Sequence, residues 1–173
     1  MKRPFAALAL LLCGTGLAGC GLGSTKTISK QGVVGQAFDG PGGLQVQLVR
    51  YVQRVPPPAD DVSGLATPKK GTHFVAFAVR MCINTTGLPS IAQRNFNVPL
   101  AGGGEAELKF PETVFDDDLG LLGTPGCEEG HVVFQVPRRR RASDLRFDLD
   151  VNRGDAEGYS RTTKIRFDWT LPA

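Results

Sequence analysis

Between Gly71 and Asn84 the chain reads Gly-Thr-His-Phe-Val-Ala-Phe-Ala-Val-Arg-Met-Cys-Ile-Asn, and Val75, Phe77, Val79, Met81 and Ile83 fall at every second position. A repeat of two is that of a pleated strand, whose successive side chains point to opposite faces. Five large apolar residues on one face demand a second layer to cover them. The same alternation returns at Val132, Phe134 and Val136, at Leu145, Phe147, Leu149 and Val151, and at Ile165, Phe167, Trp169 and Leu171. Weaker runs occupy Val33 to Phe38, Gly43 to Val55, Ser90 to Leu100 and Glu105 to Phe110. In the second of these the pattern Leu44, Val46, Leu48 loosens at Val49-Arg50-Tyr51, where a bulge shifts the phase. Clusters of Gly and Pro, among them Gly40-Pro41-Gly42-Gly43, Pro56-Pro57-Pro58 and Gly102-Gly103-Gly104, punctuate the runs. No stretch after the first 20 residues has a helical period. The expectation is an all-β domain, a two-sheet antiparallel sandwich of about seven to eight strands.

The compartment is written at the N-terminus. Lys2 and Arg3 precede an apolar run from Phe5 to Leu12, which has the length of a signal-peptide core and is too short to span a bilayer. The following Leu17-Ala18-Gly19-Cys20 resembles the lipobox of bacterial lipoproteins, in which the cysteine is acylated on sulfur and becomes the new N-terminus. That resemblance implies a signal peptide over residues 1–19, a lipidated flexible tether over 20–31 and a folded domain over 32–173. It also implies a membrane anchor at Cys20 that carries palmitate-type chains on the extracytoplasmic face of a bacterial cell membrane. An ordinary secretory leader with an incidental Cys20 thiol is the competing reading. Loss of residues 1–19 removes Lys2 and Arg3 from the 20 basic residues and none of the 17 acidic ones, which leaves 18 against 17. So nearly neutral a domain gives no footing for nucleic acid.

Of the four cysteines, Cys13 leaves with the leader and Cys20 takes lipid, so Cys82 and Cys127 remain as one pair in an oxidising compartment. Both are out of phase with the apolar stripes of their strands. The two strands are therefore expected to be neighbours in one sheet, with the disulfide on its outer face.

Three stretches, Gly71 to Phe77, Cys82 to Gly87 and Pro125-Gly126-Cys127-Glu128-Glu129-Gly130-His131 through Pro137, resemble the secreted bacterial lipoproteins that carry an immunoglobulin-like domain of unknown function. Those domains are similar in fold to the immunoprotective extracellular antigen family. The resemblance implies an immunoglobulin-like sandwich on a lipid tether, with no catalytic residue and no cofactor.

Candidate chemistry is sparse. Arg138-Arg139-Arg140-Arg141 follows Pro137 directly and is expected at a hairpin tip, where guanidinium groups suit phosphate of anionic headgroups or surface polymers. The plain alternative is a solvated turn that discourages edge pairing. Asp116-Asp117-Asp118, in a long loop over 111–126, is a weak metal candidate, since it lacks the alternate ligands and distant Glu of an EF-hand. His73 and His131 are the only histidines, and both are expected on outward faces. With no serine elbow, zinc helix or phosphate loop, the expected function is a non-catalytic binding module for a protein or an anionic surface polymer. The rival is a small hydrolase or ligand carrier that uses the 111–126 loop with His131.

Overall fold

Alternating stripes need a facing layer, and the computed structural model supplies one. It describes residues 25–56, 67–86, 88–109, 119–120, 122–154 and 160–172. Nine strands are present among them: β1 (Thr25–Val33), β2 (Ala37–Asp39), β3 (Gln45–Val55), β4 (Thr72–Ile83), β5 (Phe96–Asn97), β6 (Glu107–Lys109), β7 (Gly126–Pro137), β8 (Asp144–Gly154) and β9 (Ser160–Thr170). One sheet runs β2-β3-β4-β7-β6 and the other β1-β9-β8-β5. The protein is an all-β sandwich, as the alternation requires.

Between the sheets lies one continuous core. Val75, Phe77, Val79, Met81 and Ile83 are all at most 1% exposed, and with Val132, Phe134 and Val136 they face Leu145, Phe147, Leu149, Val151, Ile165, Phe167 and Trp169. Each such side chain contributes about 1.5–3 kcal/mol on burial. Aromatic rings fill the widest part: Phe38 lies 5.1 Å from Trp169, and Phe147 lies 5.8 Å from Phe167. The indole Nε1–H of Trp169 donates to the Gln36 carbonyl at 2.8 Å, which lets a polar handle be buried at no net loss.

On the outer face of the five-stranded sheet a smaller cluster of Val55, Phe74, Ala76 and Val133 is also buried. The outer face of the other sheet is wet and crossed by Arg146–Asp168 and Arg166–Asp148 pairs at 2.8 Å between directly opposed residues. Pairs of this kind add about 0.2–1 kcal/mol each.

Strands β4 and β7 pair without interruption from Thr72↔Pro137 to Ile83↔Gly126, so no bulge disturbs the phase, and Cys82 stands directly opposite Cys127. The two sulfurs are bonded. Cys82 is half-buried and Cys127 exposed, on the outer face as their phase requires.

Two expectations need correction. The stretch 20–31 assigned to a tether is β1 from Thr25 onward, paired in parallel with β9 from Thr25↔Thr162 to Val33↔Thr170, and residues 20–24 lie outside the described residues. The other strand pairs among the described residues are antiparallel, as expected. The reason β1 leaves no trace in the apolar pattern is that seven of its nine residues are exposed, and only Ile28 packs against the core. Backbone hydrogen bonds hold this strand. Likewise Ser90 to Leu100 is mostly irregular, with a short 3-10 turn at Gln93–Asn95 before the two residues of β5.

Candidate anion-binding cleft

The four consecutive arginines do not cap a hairpin. Strand β7 ends at Pro137 in the five-stranded sheet and β8 begins at Asp144 in the other, so Arg138 to Arg141 form the crossover between sheets at one open end of the sandwich. Backbone bonds fix its path. The Arg138 N–H donates to the Gly71 carbonyl at 2.9 Å, the Arg140 N–H to the Pro137 carbonyl at 2.9 Å, and the Ala101 N–H to the Arg141 carbonyl at 3.0 Å. Side chains add to this: Arg138 Nε donates to the Thr72 carbonyl at 3.3 Å, and the Arg140 guanidinium donates to the Gly103 carbonyl.

Strand β3 brings a second wall to the same place by means of its irregularities. Leu48 is opposite Val79 but Arg50 is opposite Ala78, so Val49 is the extra residue of a bulge, and the phase flips after it. Tyr51 is consequently opposite Phe77 and shares its inner face, with the rings stacked at 5.2 Å. A second shift between Val52 and Val55 sets Gln53 and Arg54 against the single Val75. His73, two residues before Val75 on β4 and opposite Val136, ends the inner stripe at the same mouth, which corrects the outward face expected of it.

The product is a cleft of 440 Å³ with Tyr51, Gln53, Arg54 and His73 on one wall and Arg138, Arg140, Arg141 and Ala142 on the other. A neighbouring hollow of 300 Å³, bordered by Val55, Pro56, Pro68 and Thr72, shares Arg54, His73 and Arg138 with it. Arg139 points elsewhere and lines neither. Among the described residues, no carboxylate lines either space. Among the described residues, none of these arginines takes part in an ion pair. Like charges held together by backbone hydrogen bonds, without a counter-ion among the described residues, create a positive potential that favours an anion.

The neutral groups respond to this field. Burial holds the His73 imidazole below its usual 6.5, and Arg54 and Arg138 press it in the same direction. Its Nδ1 is sealed from solvent and has no hydrogen-bond partner. Burial also raises the Tyr51 phenol, while Arg141 opposes that rise.

His131 belongs to a different environment. It is opposite Ala78 on the outer face of the five-stranded sheet, the outward face expected of it, and is only 6% exposed. Its carbonyl accepts from the Leu119 N–H at 3.1 Å. His73 and His131 therefore lie on opposite faces of one sheet and cannot converge on one substrate. Asp116, Asp117 and Asp118, the weak metal candidates of the loop that the rival reading combines with His131, lie outside the described residues, as do Cys20 and the leader. Among the described residues there is no group of three or more His, Cys, Asp and Glu that fits a metal ion, and no helix long and apolar enough to cross a membrane.

Sequence reasoning found the arginine run but missed Tyr51, Gln53, Arg54 and His73 as its companions. The signal was present in the phase break at Val49.

Fold and cleft together define a class, a two-sheet β-sandwich with a cationic mouth at one end. No protein-family model matches the chain, and no curated protein matches it. Three solved structures are similar. The secreted protein MPT63 of Mycobacterium tuberculosis aligns at 10% identity with a TM-score of 0.49, over 83% of this chain and 98% of that one. A Bacillus subtilis protein described as a lipoprotein aligns at 16% identity and a TM-score of 0.43, over 70% of this chain. This chain spans only 36% of that protein's length. A β-sandwich protein of Clostridium difficile aligns at 9% identity and a TM-score of 0.41, over 80% and 95% of the two chains. At these identities the likeness concerns the fold alone.

Proposed function

We propose that the protein is a non-catalytic binding module, anchored through lipid on Cys20 to the extracytoplasmic face of a bacterial membrane, that captures an anionic ligand in the arginine cleft. The observation that carries this reading is the collection of Arg54, Arg138, Arg140 and Arg141 around one cleft, with no carboxylate among the described residues of its walls. A solvated turn of like charges would not need a second wall from β3 and β4.

Topology adds a direction. Thr25 is opposite Thr162, which is opposite Asn152, whereas the crossover adjoins Asp144 at the other end of β8. Eight residue steps of extended strand separate these ends by about 27 Å. Cys20 precedes Thr25 by five residues, so the cleft opens at the end of the domain remote from the anchor. That arrangement favours a ligand presented from outside over headgroups of the membrane in which the protein sits.

The test is co-sedimentation or surface binding of the full-length protein with polyphosphate against neutral dextran. At about 1 kcal/mol per arginine near a charged partner, the combined Arg138→Ala, Arg140→Ala and Arg141→Ala variant should bind polyphosphate about a hundredfold more weakly. Wild-type binding should weaken steeply with salt. Equal binding by the variant at low salt would remove the cleft from the account. The anchor is checked separately: Cys20→Ser should abolish incorporation of labelled fatty acid, and undiminished labelling would refute it.

A further inference from the structure

The cleft is too large and too varied for an anion alone. Its 440 Å³ lies within the range of about 300–1,000 Å³ typical of sites for whole small molecules. Its walls divide by chemistry. Arg54 and Arg138 flank His73 and reach both hollows, which concentrates cations in the inner part. Tyr51 and Gln53 bring a ring and an amide from β3. The Tyr51 ring is fixed by its stack on Phe77, with planes inclined by 18°, and it still borders the cleft. A ring so held is a platform: it offers apolar contact to a flat or puckered ring at little cost in side-chain entropy. The Gln53 amide, with two donors and an acceptor, suits hydroxyl groups.

Charge selects the other half of the ligand. Guanidinium groups pair bidentately with carboxylate or phosphate. Several of them, bonded internally only to carbonyls and paired with no carboxylate among the described residues, are compensated better by a dianion with three terminal oxygens than by one carboxylate. We propose that the cleft takes a phosphate-bearing sugar or comparable hydroxylated ring, with the phosphoryl group between Arg54, Arg138 and Arg140 and the ring against Tyr51 and Gln53. This rests on the anion-binding reading above and names the ligand class for the same site. The same chemistry occurs in a free sugar phosphate and in the repeat of a sugar-phosphate polymer, and both present the group in the same way to the cleft.

Calorimetric titration of the full-length protein in detergent with glucose-1-phosphate, inorganic phosphate, glucose and phosphatidylglycerol vesicles tests this. Glucose-1-phosphate should bind at least tenfold more tightly than inorganic phosphate, and glucose should not bind. Tyr51→Leu, and independently Gln53→Ala, should bring glucose-1-phosphate down toward inorganic phosphate while leaving phosphate affinity unchanged. Arg138→Ala should weaken both. The surface change Gln53→Ala keeps the test decisive if Tyr51→Leu does not fold. Equal affinity for the two phosphates, or no effect of either β3 variant, would overturn the ring subsite and leave the anion cleft standing. Absence of binding to both phosphates would overturn the cleft as well, and binding to vesicles alone would replace it with a lipid surface. Comparing polyphosphate with a sugar-phosphate polymer then separates the two sources, since only the polymer should depend on Tyr51.

Discussion

Joining Cys82 to Cys127 closes a loop of 45 sequence steps, and the effect of opening it can be worked out beforehand. Cys127 is exposed and Cys82 half-buried on the outer face of the sheet, so replacing both with Ala removes little packing. What changes is the unfolded chain, which regains the conformations that the bridge forbids. In the chain-entropy description a loop of this length corresponds to about 4 kcal/mol. That is a large part of the roughly 5–15 kcal/mol that holds a domain together. At about 2–4 °C per kcal/mol for a chain of this size, the melting temperature should fall by about 8–16 °C. Urea unfolding followed through the fluorescence of Trp169, the single tryptophan and a fully buried one, gives the free energy directly. The slope against urea should rise as well, because an unbridged chain exposes more surface when it unfolds. Cys82→Ser with Cys127→Ser should behave like the Ala pair, since neither replacement is buried deeply. A loss below about 1 kcal/mol with an unchanged slope would refute the reasoning and leave the β4–β7 ladder as the sole constraint on that loop.

Three further outcomes follow from the same coordinates. Phe77→Ala empties a site bounded by Tyr51 at 5.2 Å and by Phe134 at 5.9 Å, and should cost about 3–5 kcal/mol in the same assay. Deletion of residues 25–33 strips β1 from β9 and bares a sheet edge, so the shortened protein should melt lower and self-associate in size-exclusion chromatography; an unchanged profile would show that this segment is a tether after all. Burial and the neighbouring Arg54 and Arg138 hold His73 below 6.5, so below that pH the unfolded chain takes up a proton that the folded one resists. Stability contributed by neutral His73 is complete above 6.5 and is lost as pH falls toward the depressed value. His73→Gln should flatten the stability profile in that window, and an equally steep profile would assign the slope to other groups.

How legible each part was depended on whether burial is written as alternation. Strands β4, β7, β8 and β9 place one face on the core, and their stripes of Val, Phe, Leu and Ile could be read directly. The outer-face disulfide followed from the same parity, because the β4–β7 register runs unbroken from end to end. Strand β1 was illegible for the opposite reason: seven of its nine residues are exposed, and a strand held by backbone bonds imposes no pattern on its side chains. His131 was placed on the right face but its burial was not legible, since parity says which side a residue takes and not whether that side is covered. The arginine run was visible, but its partners were not. Tyr51 and Arg54 reach the cleft only because bulges after Leu48 and Val52 reset the phase, and His73 joins them through a crossover between sheets that no local pattern announces.

The account stands most directly on where an anion lands. Amide chemical-shift mapping of the full-length protein in detergent with added glucose-1-phosphate should move the resonances of Tyr51 to Arg54, His73 and Arg138 to Ala142 together, with one saturating curve, and leave those around His131 still. Shifts centred on His131, or none at the crossover, would contradict it.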